Sequence, residues 1–287
     1  MQMDQPAGDT AASPSGTDLR FEAIGHDFES QHGSVQALAG IDFAVNAGQF
    51  VAILGPSGCG KSTLLLLAAG LLAPSEGAVV VGGERVTKPF TDCGFVFQDA
   101  SLLEWRTALR NILLQAEARG MDRGQAEGRA RELMELTGIS GFEDAYPTQL
   151  SGGMRQRVAL CRALLHDPPV LFMDEPFGAL DALTREQMVL DTQRIWMEGA
   201  KTVLFVTHDI GEAIVLADRV VVLGPRPGRI LEIYDIALPR PRDMDALAEP
   251  RSIALQHKIR ELLRAHGVFT QPGQFGSCPG NEGTSGL

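Results

Sequence analysis

The sequence predicts an α/β fold built on a parallel sheet. Short apolar runs, such as residues 50–54 and 170–173, are typical of buried strands. Helix-forming segments follow these runs, and parallel strands need crossover connections of that kind. Glycine-rich or acidic residues come directly after the strands. The predicted chemistry therefore lies at the carboxyl edge of the sheet.

The other elements are predicted from local patterns. Residues 19–45 are strand-like in short pieces, and residues 102–136 are dense in helix formers with a break at 120–124. This second segment predicts an insertion of two or three helices. Apolar, partly β-branched runs predict further strands at 78–83, 94–97, 202–206, 219–223 and 229–234, and an amphipathic helix is predicted at 252–266.

Residues 55–62 read GPSGCGKS and match the phosphate-binding loop G-x-x-x-x-G-K-[ST]. A predicted strand precedes the loop and a predicted helix follows it, as the motif requires. Glycines let backbone amides close around an anion at the helix N-terminus. Lys61 can reach the β- and γ-phosphates, and the Ser62 hydroxyl can bind Mg²⁺. The alternative, a glycine-rich turn with a chance lysine, does not explain these flanks. The predicted nucleotide contacts here are Gly55, Pro56, Ser57, Gly58, Cys59, Gly60, Lys61, Ser62 and Thr63.

Two acids, Asp174 and Glu175, follow the apolar strand at 170–173. A carboxylate at this position can hold Mg²⁺ beside a polyphosphate, so we assign Asp174 to the ion. Glu175 can accept a proton from an attacking water or polarise it. Acids that merely end a strand in a turn are the alternative, and the phosphate loop argues against it.

Three more residues are candidates because of the strands that carry them. His208 follows the strand at 202–206, which ends at the sheet edge predicted for the nucleotide. Gln98 ends the strand at 94–97, where it matters only if that end faces the nucleotide. Phe28 could stack on adenine or be a half-buried strand residue, and the sequence alone favours the strand residue.

The stretch LSGG at 150–153 precedes a predicted helix. Ser151 is a plausible N-cap, and a Ser-Gly-Gly turn at a helix start can bind an anion. A plain capped helix explains the same residues, so both interpretations stay open at this point.

Composition narrows the class of protein. The net charge of −11 argues against broad nucleic-acid binding. None of the four cysteines forms a C-x-x-C pair, which fits a reduced setting. The longest apolar run, 64–73, is shorter than the about 20 residues that span a bilayer. No charged-then-apolar leader opens the chain, so we predict no secretory signal.

Taken together and in this order, the motifs resemble the ATP-binding subunits of ABC transporters. LSGG looks like the ABC signature, and FGALD at 177–181 looks like the D-loop of that family. The resemblance covers residues 19–243. It implies a P-loop NTPase core with a parallel sheet, an N-terminal antiparallel β subdomain and a helical insertion. The implied parts are an ABC ATPase domain (18–245, helical subdomain about 100–165) and a C-terminal helix (246–270), while composition predicts disordered tails at 1–17 and 271–287.

The resemblance also implies a head-to-tail homodimer that encloses ATP. Nucleotide on one subunit's phosphate loop would be covered by the signature of the other subunit. The implied roles are a base at Glu175, catalytic roles for His208 and Lys61, Mg²⁺ ligands at Ser62, Gln98 and Asp174, adenine stacking by Phe28, signature contacts from Ser151, Gly152, Gly153 and Met154, and communication across the interface by Asp181.

Some segments are similar to the nitrate, sulfonate and taurine importers. These are LLEWR at 102–106 and LPRPRD at 238–243, with Glu104 where that group usually has Pro and Met154 where Gln is frequent. This similarity implies transmembrane permease partners, an extracytoplasmic solute-binding protein and a peripheral position on the cytoplasmic face of the cell membrane. It also implies uptake of a small anionic or sulfonate/nitrate-like solute. The negative net charge predicts no nucleic-acid partner.

Two other functions remain open at this point. A soluble ABC-type ATPase outside transport usually has two ATPase domains, a coiled-coil insert or basic extensions, and this chain has one phosphate loop and no heptad run. A small-molecule P-loop kinase would leave the LSGG stretch without a role.

Overall fold

The computed structural model describes residues 16–30 and 33–268. The predicted tail 271–287, residues 269–270 of the predicted C-terminal helix and most of the tail 1–17 lie outside them. The elements in chain order are β1 (Leu19–Ser30), β2 (Gly33–Val45), β3 (Phe50–Leu54), α1 (Lys61–Ala68), β4 (Glu76–Val81), β5 (Glu84–Arg85), β6 (Cys93–Val96), α2 (Ala108–Ile112), α3 (Leu114–Arg119), α4 (Arg123–Leu136), α5 (Gly152–Leu164), β7 (Val170–Asp174), α6 (Ala182–Gly199), β8 (Thr202–Thr207), α7 (Ile210–Leu216), β9 (Arg219–Leu223), β10 (Ile230–Asp235) and α8 (Pro250–Ala265).

A six-stranded sheet forms the centre of the molecule, in the order β10-β9-β3-β8-β7-β6. All pairings are parallel except that of the edge strand β10 with β9. Every residue of β3 and β8 is buried, because both faces of the sheet are covered. The carboxyl ends of β3, β8 and β7 therefore meet at one edge of the sheet, which confirms the α/β prediction.

A second, antiparallel sheet has the order β2-β1-β4-β5. Its first two strands span 12 and 13 residues, so the prediction of short pieces in this region was wrong. Register shifts between Phe21 and Asp27 break the two-residue alternation that marks a continuous strand. Ala23 within this stretch has a φ of 48°, which fits a bulge. The pairing continues through the irregularity.

The antiparallel sheet meets the loop after β9. The Ala39 amide donates to the Gly228 carbonyl at 3.0 Å, and the Gly228 amide donates to the Ala37 carbonyl at 2.8 Å. These bonds hold β2 beside the carboxyl edge of the central sheet.

The helical insertion comprises α2, α3 and α4, followed by α5. Its first helix begins at Ala108, where Thr107 is the N-cap, and the predicted helical start at 102 was too early. The buried Asn111 side chain explains the difference. It accepts from the Leu103 amide at 2.7 Å and donates to the carbonyls of Leu103 and Arg106, so the preceding loop is fixed without being helical. Among the described residues, no helix has the length and apolar character needed to cross a bilayer.

Candidate nucleotide-binding site

The loop between β3 and α1 has a backbone shaped by glycine. Gly58 and Gly60 have φ values of 76° and 98°, in the left-handed region that glycine adopts without a Cβ penalty. A Cβ on Gly60 would lie 2.6 Å from Cδ2 of Leu38, a residue of β2. A Cβ on Gly58 would meet nothing within 4 Å. The loop is therefore packed against β2 on one side and leaves space on the other, as a phosphate cradle requires.

Lys61 is the first residue of α1, and its side chain is only 4% exposed. Its Nζ donates to the carbonyls of Gly55 at 3.1 Å and Pro56 at 3.0 Å. The same nitrogen lies 3.3 Å from Oε1 of Glu175. A buried ammonium group needs such partners, because burial without them costs several kcal/mol. The lysine is consequently fixed beside the loop.

Glu175 follows β7 with an unusual backbone conformation. Its φ of 43° is uncommon for a residue with a side chain. Its amide donates to the Val206 carbonyl of β8 at 3.0 Å, which holds this turn against the neighbouring strand. Oε2 lies 2.9 Å from Nδ1 of His208. Strained backbone of this kind costs about 1–3 kcal/mol and concentrates at functional sites.

Ser62 and Asp174 supply oxygen atoms on the same side of the loop. The Ser62 hydroxyl donates to Oδ1 of Asp174 at 2.9 Å. Burial raises the pKa of Asp174, and the bond from Ser62 opposes that shift. No group of three His, Cys, Asp or Glu side chains in the described part of the chain could hold a metal. Mg²⁺ is usually bound by one or two carboxylates together with substrate phosphates and water, so this oxygen pair suits it.

Gln98 lies two residues after the end of β6, near Glu175. A Cβ on Gly178 would lie 3.5 Å from Nε2 of Gln98 and 3.9 Å from Oε2 of Glu175. Gln98 and Glu175 therefore both lie beside Gly178, so the end of this strand is near one of the two acids.

Cys59 lies in the loop with its thiol turned inward. Its side chain is 1% exposed, and burial raises the pKa of the thiol. The residue packs within the apolar cluster beneath α1.

Ser151 of the LSGG stretch and Asp181 of the FGALD stretch lie at two helix starts that contact each other. Neither residue has a described bond to the phosphate loop at 55–62. Ser151 caps α5 by accepting from the Met154 amide at 3.2 Å, which confirms its predicted N-cap role. Asp181 caps α6 by accepting from the Thr184 amide at 3.1 Å. A Cβ on Gly153 would lie 2.4 Å from Cγ2 of Thr184, so the two helix starts are in close contact.

Phe28 lies on β1 and has no described bond to the phosphate loop. Its ring is 41% exposed and packs edge-on against His26 at 4.6 Å between centroids. Among the described residues, no hydrogen bond or ion pair links Phe28, Ser151 or Asp181 to residues 55–62.

The structure also adds residues that the sequence analysis missed. Thr207 ends β8, and its hydroxyl bonds to the carboxylate of Glu212 in the first turn of α7. Oε1 of Glu212 lies 3.9 Å from Nε of Arg185 on α6. The spacing of Asp209 and Glu212 resembles a capping box, and Asp209 does accept from the Glu212 amide at 2.9 Å. That pattern marked the helix start but gave no sign of the partner on α6.

A parallel sheet with a glycine loop, a buried lysine and an acid pair at one edge defines a nucleotide-binding protein of the P-loop class. A family model described as "ABC transporter" matches residues 38–178. An uncharacterized ABC transporter ATP-binding protein of Methanocaldococcus jannaschii is 47% identical over 246 residues, which are 86% of this chain and 91% of that protein. The chain therefore belongs to the ABC transporter ATP-binding proteins.

Relatives with more specific names are similarly close. The aliphatic sulfonates import ATP-binding protein SsuB of Bacillus cereus is 44% identical, over 80% of this chain and 91% of its own. The taurine import ATP-binding protein TauB of Rhizobium johnstonii is 43% identical, over 83% and 93%. Among solved structures, a dimeric post-hydrolysis ATP-binding cassette bound to ADP and phosphate matches with a TM-score of 0.69 and 30% identity, over 77% of this chain and all of that one. The family resemblance and the ABC ATPase fold predicted from the sequence are thus confirmed.

Proposed function

We propose that this chain is the ATP-hydrolysing subunit of a bacterial ABC importer for a small anionic solute. The observation that carries the proposal is the position of Glu175, whose two carboxylate oxygens face Lys61 at 3.3 Å and His208 at 2.9 Å. A carboxylate held at the edge of a phosphate loop can accept a proton from water that attacks the γ-phosphate.

The roles of the remaining residues follow from where they lie. Lys61 and the backbone N–H groups of residues 55–63, apart from Pro56, which has none, bind the phosphates, and the charge of Lys61 stabilises the negative charge that develops during transfer. His208 positions the γ-phosphate and the attacking water beside Glu175. Ser62, Asp174 and Gln98 would hold Mg²⁺, which when bound neutralises phosphate charge. Phe28 is the proposed adenine contact, on a ring that is exposed enough to be reached.

The proposed assembly is a head-to-tail dimer. Ser151, Gly152 and Asp181 are exposed and have no described bond to the phosphate loop of their own chain, which supports a role toward a second copy. In this arrangement the first turn of α5 contributes amides and its positive end to the γ-phosphate of the partner. Asp181 lies at the same surface and would contact the opposite subunit.

The proposed membrane partner is a permease that docks near the helical insertion. A cavity of about 740 Å³ between the central sheet and α3 is lined in part by Leu71 and Phe97, large apolar side chains that are 52% and 40% exposed. Trp105 near the start of the insertion is 73% exposed. Leu71 and Phe97 line the same cavity, and neighbouring exposed apolar groups favour an interaction site. The subunit would then be peripheral on the cytoplasmic face of the cell membrane, and an extracytoplasmic binding protein would deliver the solute.

The test combines hydrolysis with partner capture. Glu175→Gln should lower the rate of Mg-ATP hydrolysis by about 10²–10⁴ because the proton acceptor is lost. The tagged variant, loaded with Mg-ATP and purified from solubilised membranes, should retain a multi-span permease in stoichiometric amount. Uptake of taurine, alkanesulfonates and nitrate by the reconstituted complex would identify the solute. Wild-type hydrolysis by the variant, or an ATP-bound dimer without a membrane protein, would contradict the proposal.

A further inference from the structure

A buried carboxylate outside the residues assigned above connects two parts of the site. Glu212 lies in the first turn of α7, four residues after His208, and is 7% exposed. The Thr207 hydroxyl accepts from the Asp209 amide at 3.0 Å, so its own proton is free to bond to Oε2 of Glu212. This bond fixes the end of β8 immediately before the histidine.

The other oxygen of Glu212 faces α6. Oε1 lies 3.9 Å from Nε of Arg185, an ion-pair distance that is too long for a hydrogen bond, and this nitrogen is buried without a hydrogen-bond partner among the described residues. A different nitrogen of Arg185 donates to the Leu180 carbonyl at 3.0 Å, directly before Asp181. The Arg185 amide also donates to the Asp181 carbonyl at 2.9 Å. Arg185 is therefore tied at both backbone and side chain to the start of α6.

These contacts form a continuous path between two functional regions. It runs from the turn that holds Asp181, through Arg185 and Glu212, to the residue before His208. Resting on the function proposed above, we propose that Glu212 and Arg185 are positioning residues that couple the Asp181 turn to the placement of His208. A second subunit that displaces the Asp181 turn would then act on the histidine through one ion pair.

The electrostatic surroundings of Glu212 agree with a coupling role. The groups that face it are Thr207 at the end of β8, His208 directly after that strand, Asp209 at the N-cap of α7, and Arg185 from α6. Burial, with help from Asp209, raises the pKa of Glu212 to about 7. The carboxylate is thus costly to hold in this place, and Arg185 is its only cationic side-chain partner among the described ion pairs. Because both groups lie in a buried site of low dielectric constant, a change in the distance between Glu212 and Arg185 strongly changes their interaction energy.

The test distinguishes the ion pair between Glu212 and Arg185 from the hydrogen bond between Thr207 and Glu212. Glu212→Gln keeps an acceptor for Thr207 and removes the charge that faces Arg185, whereas Glu212→Ala removes both. Arg185→Met removes the opposite partner. In the full-length protein, kcat for Mg-ATP should fall about tenfold in Glu212→Gln and in Arg185→Met, with KM within about twofold, because positioning is lost while the phosphate loop is untouched. The double variant should be no slower than either single variant, since both changes break the same link.

Asp218→Asn is the matched control. It breaks a partly buried ion pair with Arg240 at the other end of α7 and should leave kcat within about twofold. Circular dichroism at the assay temperature confirms that each variant is folded. ATP-driven self-association, measured by light scattering in a Glu175→Gln background, gives a second readout, and adding Glu212→Gln should weaken it.

The possible outcomes are distinguishable. Unchanged kcat and self-association in both single variants, or additive losses in the double variant, would overturn the coupling and leave the ATPase function intact. A wild-type protein that neither hydrolyses ATP nor self-associates with it would overturn both proposals.

Discussion

Lys61 and Glu175 form an ion pair of 3.3 Å, although they follow two strands that are not neighbours in the sheet. β8 lies between β3 and β7, and it brings His208 to the second carboxylate oxygen of Glu175. The parallel order of these strands is thus what joins a lysine, an acid and a histidine that are far apart in the sequence. We expect substitution of Lys61 to affect nucleotide binding and substitution of Glu175 to affect hydrolysis.

Lys61→Met should weaken nucleotide binding far more than Glu175→Gln. The lysine variant loses charge-assisted hydrogen bonds to phosphate, each worth about 1.5–3 kcal/mol, so the Kd for Mg-ATP should rise about 10–100-fold. The Glu175 variant keeps the cradle, and its Kd should stay within about threefold of wild type. Titration calorimetry measures both. Equal affinities in the two variants would contradict the separate roles of binding and proton transfer.

Complementation in trans tests the proposed dimer. Lys61→Met and Ser151→Arg should each abolish most hydrolysis as homodimers, because one damages the loop and the other obstructs the signature. In an equal mixture, about a quarter of all sites should combine an intact loop with an intact signature, and activity should return in proportion. ATPase rates over a range of mixing ratios measure this recovery. No recovery at any ratio would argue for sites that lie within one chain.

The same substitution at two glycines tests whether the phosphate loop needs its backbone shape. Gly60 lies in the loop, and Gly128 is the control. Gly60→Ala places a Cβ 2.6 Å from Leu38 at a φ of 98°, so we expect loss of nucleotide binding and lower stability. Gly128→Ala lies within α4, where a Cβ meets nothing within 4 Å, and should stabilise the protein by about 0.5–1 kcal/mol. Urea unfolding and nucleotide titration distinguish the two effects. A Gly60 variant that binds ATP normally would show that the loop tolerates displacement from β2.

Glu212 should make folding stability depend on pH. Its pKa rises from an ordinary value of 4.5 to about 7 in the folded protein, so the folded state holds the proton more tightly than the unfolded state. This contribution is fully present below about pH 4.5 and is lost as the pH rises through about 7. It amounts to at most about 3 kcal/mol.

The measurement compares wild type with Glu212→Gln by urea unfolding from about pH 5 to pH 8. The neutral variant lacks this titration, so the stability of the wild type relative to the variant should decrease as the pH rises. Groups that titrate in both proteins cancel in the comparison. A difference that is independent of pH would show that the carboxyl group is not perturbed.

The sequence predicted the parts of the site that depend on contiguous residues. Residues 55–62 form one continuous segment, and their flanking strand and helix are visible in the local sequence, so both the motif and its context were predictable. Ser151 as an N-cap also depends only on residues that follow it. That Gln98 and Glu175 lie beside the same glycine, Gly178, depends on the sheet order, which a single sequence does not state.

Features that depend on contacts between residues distant in the sequence were either not predicted or predicted wrongly. The bulges of β1 obscured a continuous pairing with β2, because the alternation is broken wherever the register shifts. The start of α2 was misplaced because buried Asn111 fixes a loop rich in apolar residues. Glu212 received no prediction, since an acid in the first turn of a helix is ordinary, and only the packing of α6 on α7 shows that Arg185 faces it.

The inward-turned thiol of Cys59 has a consequence for inhibition. Alkylating reagents and oxidants act on thiolates that solvent can reach, whereas burial raises the pKa of the Cys59 thiol and keeps its sulfur away from solvent. A cysteine at the centre of the phosphate loop would ordinarily make an enzyme vulnerable to electrophiles. Here it acts as a packing group, so we expect Cys59 to react slowly with oxidants and with covalent inhibitors aimed at that position.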